Sequence, residues 1–120
     1  MISVVNIESR LWAVILIGPP GSGKDTQAEL LARELGLIEL KTSRIIEDKF
    51  AAADSQDKII QEQIKNKSSG GLVEPILVLR WFVERLRKVR AEGKGAVASG
   101  SPRTLFEAES EMPLFDELYG

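Results

Sequence analysis

One stretch, Leu11 to Gln27, read as LWAVILIGPPGSGKDTQ, constrains this chain more than any other. An apolar run from Leu11 to Ile17 meets a glycine-rich turn, Gly18-Pro19-Pro20-Gly21-Ser22-Gly23, and Lys24 then opens a segment of helical periodicity. Strand, glycine turn, lysine and helix, in that order, are what a phosphate-binding loop requires. A helix N-terminus offers unpaired N–H groups and partial positive charge, and glycine lets the backbone wrap an anion with no Cβ in the way. The lysine adds a full charge that reaches terminal phosphates, so the loop is expected to hold a nucleoside triphosphate. The spacing fits G-x-x-x-x-G-K, but Asp25 stands where Ser or Thr is expected and Thr26 follows one place later. Asp25 also suits a helix start, where an acid complements the dipole.

The rest of the chain alternates strand and helix signals. Met1 to Arg10, with Ile2, Val4, Val5 and Ile7, reads as a short edge strand or a tail. Leu11 to Ile17 has the length and β-branching of a strand buried on both faces. Lys24 to Leu35 places Ala28, Leu31, Ala32 and Leu35 at helical spacing, with Gly36 as the terminating residue. Leu37 to Lys41 reads as a second strand, followed by a helix carrying Ile45, Ile46 and Phe50 with Ser43 as N-cap. Asp54 to Asn66 reads as a short amphipathic helix and Lys67 to Gly71 as a loop.

Glu74 to Ala91 is the longest helical signal, with Leu79, Phe82, Val83, Leu86 and Val89 on one stripe and Glu84 spaced to pair with Lys88. Ala96 to Ala98 suggests a third, buried strand leading into the turn Ser99-Gly100-Ser101-Pro102-Arg103-Thr104. Leu105, Ala108 and Met112 then follow helical spacing, with Pro113 restarting a helix at its N1 position. This order indicates an α/β fold with helices on both faces of a parallel sheet.

A chain of 120 residues, 43% hydrophobic and 28% charged, is the size and composition of one globular domain. A net charge of -2 gives no general affinity for polyanions, so nucleic acid is not an expected partner. The absence of cysteine and histidine excludes disulfides, thiolate metal sites and imidazole chemistry within the chain. With no apolar run near a membrane span and no secretory pattern at the start, no membrane partner is expected and the default location is the cytoplasm.

Three motifs in order resemble the nucleoside monophosphate kinases, adenylate kinase above all. Gly18 to Ala28 is similar to that family's G-x-P-G-x-G-K-G-T-Q-A loop, which accounts for the threonine one place late. Gly71-Leu72-Val73 resembles its G-x-L-V segment near the monophosphate base, and Gly100-Ser101-Pro102-Arg103-Thr104 its G-F-P-R-T turn. The resemblance covers nearly the whole chain. It implies a P-loop NTPase three-layer α/β/α sandwich and transfer of the γ-phosphoryl of ATP, with Mg²⁺, to a nucleoside monophosphate.

Under that resemblance Gly18, Pro20, Gly21, Ser22, Gly23, Lys24, Asp25 and Thr26 bind ATP, and Lys24 and Arg103 are the catalytic cations. Thr26 supports the metal, while Thr42, Val73, Gly100, Arg103 and Glu107 line the acceptor site. Residues 42–72 form a helical acceptor-binding insertion within a single domain, 1–120.

The departures from the family pattern are informative. Its S-T-G-D-x-x-R motif falls on Lys41 to Glu47, keeping only Thr42 and putting Glu47 where a phosphate-binding arginine belongs, an anion expected to repel a monophosphate. Its metal-organising aspartate falls on Ser99 and its adenine-reading glutamine on Glu107. Asp25, where the family usually has glycine, has two expected roles: an acid at the helix start, or a partial replacement for that carboxylate near Mg²⁺. The family pattern continues beyond this stretch into another strand, an arginine-bearing lid and a last strand with its helix. Without them the sheet has three core strands and an exposed edge open to oligomerisation. Two readings follow: an adenylate kinase-like enzyme, or an ATP-binding module with little or no transfer.

Overall fold

The computed structural model describes residues 11–19 and 21–120. The strand or tail expected over Met1 to Arg10, and Pro20 of the turn, lie outside the described residues. Three strands, β1 (Ala13–Leu16), β2 (Ile38–Lys41) and β3 (Ala96–Ser99), form a parallel sheet in the order β1-β3-β2. Five helices complete the described residues: α1 (Lys24–Leu35), α2 (Thr42–Ala52), α3 (Lys58–Ser68), α4 (Pro75–Ala91) and α5 (Leu105–Tyr119).

Side chains alternate across each strand, so the sheet sorts its residues into two cores. Val14, Leu16 and Val97 face Ala28, Leu31 and Ala32 of α1, closed below by Leu37. Ala13, Ile15, Ala96, Ala98 and Leu40 face the larger core, where Phe82, Leu86 and Val89 of α4 meet Leu114 and Phe115 of α5. The result is the three-layer α/β/α arrangement of a P-loop NTPase. Phe82 packs edge-on against Phe115 at 6.2 Å and Trp81 against Phe50 of α2 at 6.5 Å, the geometry that ring quadrupoles favour.

β3 is wholly buried because it has a strand on each side and helices on each face. β1 is shorter and more open than expected: it is half-buried throughout, with Trp12 and Ile17 exposed beside it. Among the described residues it has one paired neighbour, β3. Gly95 brings β3 close to the other two strands. Its carbonyl accepts from Ile38 N–H, while Ala96 N–H donates to Trp12 O, and a Cβ on Gly95 would lie against that Trp12 oxygen and the Leu37 side chain.

Several local expectations are corrected. β2 runs straight into α2, so Ser43 lies inside the helix and the N-cap position falls on Lys41, with no side-chain cap. Asp54 forms a turn rather than a helix start: its Oδ1 accepts from Gln56 and Asp57 N–H, and Asp57 caps α3 through Ile60 N–H at 3.1 Å. α3 extends to Ser68, into the expected loop. Glu84 pairs with Lys49 of α2 at 3.0 Å, tying two helices together instead of bonding along its own.

α5 is one continuous helix with Pro113 inside it, not a helix restarted at proline. Its inward face is Glu111, Leu114 and Phe115, whereas Leu105 and Met112 of the expected stripe are exposed. Packing of Leu114 and Phe115 against α4 carries the helix across the missing N–H of Pro113. Among the described residues no helix is long and apolar enough to cross a membrane.

Candidate functional site

The glycine turn delivers Lys24 to the carboxyl end of β1. Gly21 and Gly23 adopt φ of 82° and 86°, a left-handed region that costs glycine nothing and other residues about 1 kcal/mol or more. Ser22 N–H donates to Pro19 O at 3.1 Å, so that donor is used within the loop and does not face a ligand. Gly23 is the N-cap of α1 and supplies no side chain, so among the described residues the first-turn N–H groups of Lys24, Asp25 and Thr26 have no side-chain cap and point to the end where an anion binds. Asp25 and Thr26 are exposed on that turn, and the Asp25 carboxylate lies 3.5 Å from Lys41 Nζ.

In front of the loop opens a cavity of about 410 Å³ lined by Leu16, Ile17, Gly18, Pro19, Lys24, Gly100, Pro102 and Arg103. A second cavity, of about 260 Å³, has apolar walls from Ile46, Leu72, Val73, Pro75 and Val78 and polar positions at Thr42, Lys67, Arg103 and Glu107. Thr42, Val73, Gly100, Arg103 and Glu107, named from the sequence, thus come together on one cavity. The two cavities share Gly100 and Arg103.

Sheet register explains that convergence. Lys41 and Ser99 are paired at the ends of β2 and β3, so Thr42 and Gly100 emerge side by side. Gly100 has φ of 94°, and a Cβ there would come 3.3 Å from Arg103 Nη2 and 3.4 Å from Thr42 Oγ1. The glycine therefore keeps open the space between the guanidinium and the hydroxyl. Thr42 Oγ1, on the wall of the second cavity, and Ser99 Oγ, at the end of β3, are buried without hydrogen-bond partners among the described residues.

Glu47 is not in this space. It is exposed on α2, forms neither cavity wall, and faces Arg44 at 3.7 Å, so the anion expected in the acceptor site is absent from it. Two further residues went unnoticed in the sequence. Gln63 is buried on α3, and its Oε1 accepts from Glu74 N–H at 2.8 Å, holding the strip that carries Leu72 and Val73 against the helices. Glu111 is buried with no accessible surface, and its Oε2 lies 2.6 Å from Ser101 Oγ.

Ser101 Oγ is also 2.6 Å from Glu107 Oε1. One hydroxyl carries one proton and cannot donate to both carboxylates, so the triad needs another proton. Burial pushes the Glu111 carboxyl up from 4.5 to about 7; the Ser101 hydrogen bond opposes this and the charge of Glu107 adds to it. A protonated Glu111 donates to Ser101, and Ser101 then donates to Glu107. The Glu107 carboxylate also accepts from Arg103 N–H at 3.3 Å and from the Thr104 hydroxyl at 3.2 Å. Thr104 in turn caps α5 by accepting from Glu107 N–H at 3.2 Å.

The residues present suit a polyphosphate: a lysine, an arginine, an uncapped helix start and a wall thin enough for backbone approach. For Mg²⁺ no group of three acids or imidazoles forms among the described residues. Mg²⁺ keeps several waters and binds through one or two protein oxygens plus phosphates; Asp25 and Thr26, the expected neighbours, are exposed on the first turn of α1 and line neither cavity.

Comparison with known proteins agrees with this geometry. The family model described as an AAA domain matches residues 17–118. The chain is similar to proteins named adenylate kinase: 34% identical to that of Paracoccus denitrificans over 105 residues, 88% of this chain and 45% of the relative. It is 36% identical to that of Kosmotoga olearia, covering 88% and 47%, and 38% identical to that of Thermus thermophilus, covering 88% and 52%. The chain spans about half the length of these relatives.

Proposed function

This chain belongs to the AAA domain family, and from that premise we propose that it is an adenylate kinase-like phosphotransferase, moving the γ-phosphoryl of ATP to a nucleoside monophosphate. The observation that carries the reading is the junction of two cavities at Gly100 and Arg103, one facing the phosphate loop and the other walled by apolar residues fit for a base. Similarity to proteins named adenylate kinase supports it.

In this reading Lys24 and the N–H groups opening α1 hold the ATP phosphates, and Arg103 holds the acceptor phosphate through paired N–H donors. An acceptor oxygen attacks the γ-phosphorus, the bond to the β,γ-bridging oxygen breaks, and ADP departs. Charge spreads over the phosphoryl oxygens during transfer, so cations fixed on both sides lower the barrier by electrostatics and positioning. Mg²⁺, when bound, neutralises phosphate charge near Thr26 and Asp25. Residues 42–72 form the acceptor side of one domain, with Thr42 and Val73 on the monophosphate and Glu107 at its base.

A second reading, an ATP-binding module with little or no transfer, is favoured by Ser99. Its hydroxyl is buried and unpartnered among the described residues, and it offers no charge to organise metal-bound water. ATP-dependent conversion of AMP, CMP, UMP and GMP, with Lys24→Ala as control, separates the two. Product from any acceptor supports the kinase, whereas ATP binding without transfer selects the module. ATP affinity unchanged in Lys24→Ala would remove the loop from both readings.

A further inference from the structure

The shortest side-chain hydrogen bonds among the described residues, 2.6 Å each, join the Ser101 hydroxyl to Glu107 and to Glu111. Of these three residues, Glu107 lines the second cavity beside Arg103, whereas Ser101 and Glu111 are buried behind the turn. The two acids differ in what else supports them. Glu107 is half-buried and also accepts from Arg103 N–H at 3.3 Å and from the Thr104 hydroxyl at 3.2 Å. Glu111 has no accessible surface and its Oε1 has no partner among the described residues, so an ionised Glu111 has one donor to call on, the Ser101 hydroxyl. The groups that act on its charge are Ser101 from the turn and Glu107 from its own helix. α4 meets the inward side of α5 with apolar Phe82, Leu86 and Val89, and no cation among the described residues offsets the acid.

One hydroxyl proton cannot serve both acids. While Glu111 is protonated it donates to Ser101, and Ser101 donates to Glu107, which is thereby held against the turn. Once Glu111 ionises, the buried anion needs the hydroxyl more than Glu107 does, because water reaches Glu107 and does not reach Glu111. Ser101 then turns its proton to Glu111, and Glu107 Oε1 keeps only the long contact from Arg103 N–H. That carboxylate lies beside the Arg103 backbone, in the lining of the cavity that Arg103 also lines. The Arg103 guanidinium is in no ion pair among the described residues, so it is open to the released carboxylate.

We propose that Ser101 and Glu111 are positioning residues for Arg103: they hold Glu107 off the guanidinium while Glu111 carries a proton, and release it to compete with the acceptor phosphate once that proton is lost. This rests on the reading of the second cavity as a monophosphate site and deepens it with a proton-linked control. Burial raises the Glu111 carboxyl to about 7, which puts the change near neutrality. Acceptor affinity is full below that value and falls as pH rises through it.

The test is titration calorimetry of AMP into the full chain and into its Glu111→Gln variant from pH 5.5 to 8, with circular dichroism to check the fold at each pH. The AMP phosphate takes its second charge at about pH 6 in both titrations, so the ratio of the two affinities isolates the protein. Glutamine donates to Ser101 as the protonated acid does and cannot ionise. The two proteins should therefore bind AMP equally at pH 5.5, and the unaltered chain about three- to fivefold more weakly at pH 8, the worth of one exposed ion pair. Glu107→Gln, which has no charge to release, should share the pH profile of Glu111→Gln. A ratio constant with pH overturns the proposal and leaves the monophosphate reading, even where Glu111→Gln shifts the unfolding midpoint as a merely structural residue would. A loss of affinity at high pH that persists in Glu107→Gln also overturns it, because the competing group is then not Glu107. Failure of AMP to bind any of the three proteins at any pH removes the monophosphate reading and the proposal with it.

Discussion

Replacing Glu111 with glutamine turns the buried triad into a measurable pH dependence. A carboxyl whose folded value is raised favours the native state when protonated. That contribution is complete below 4.5, where the unfolded chain is also protonated, and it is lost as pH rises through about 7, because the unfolded chain then ionises freely and the folded one resists. At about 1.36 kcal/mol per pKa unit, the interval from 4.5 to about 7 corresponds to roughly 3 kcal/mol lost by pH 8. Glutamine donates to Ser101 as the protonated acid does but cannot ionise. Urea unfolding of both proteins from pH 4.5 to 8.5 should show the difference in stability growing in favour of Glu111→Gln by about 3 kcal/mol, most of it between pH 5 and 7.5. A difference constant across the range, or one that shrinks as pH rises, would refute the buried proton.

Other expectations test the site and its frame. Arg103→Lys keeps the charge but loses the planar pair of donors, so monophosphate affinity should fall by roughly tenfold or more in calorimetry while ATP affinity changes little. Gly100→Ala forces a Cβ at φ of 94° into the gap between Arg103 and Thr42, and should lower stability by about 1–2 kcal/mol in urea titration and weaken monophosphate binding. A double-mutant cycle on Lys49 and Glu84 should give a coupling of about 0.5 kcal/mol, within the range of exposed pairs, and a cycle on Glu84 and Lys88 close to none.

The donor half was legible because its information is local. A glycine turn, a lysine and an apolar repeat lie within one stretch, and α1 occupies the span its periodicity and Gly36 indicate. The α/β class followed from the same alternation. What the sequence could not carry is partnership across the fold. Apolar spacing alone selected Leu105 and Met112 for the inner face of α5, yet that face holds Glu111, whose burial makes sense only once Ser101 is seen beside it. Glu47 looked like a repulsive group because position along a motif says nothing of which side of α2 it occupies. Glu84 met Lys49 rather than Lys88 because α2 lies across α4, and Pro113 stayed inside a helix because tertiary packing outweighed its local cost.

The direct passage from β2 into α2, with no residues between, sets how this site can be built and rebuilt. Thr42 and Gly100 inherit their separation from the hydrogen-bond ladder, a spacing of about 4.8 Å that sheet geometry enforces. The outer wall, Gly71 to Val73, depends instead on a short strip held at its ends, where Gly71 N–H donates to Asn66 O and Glu74 N–H to Gln63 Oε1, and by burial of Val73. The phosphate end of the pocket therefore has the tolerance of a sheet and the base end that of a loop. Substitutions at 67 or 71–73 can retune which base is admitted without disturbing the distance over which a phosphoryl group must travel.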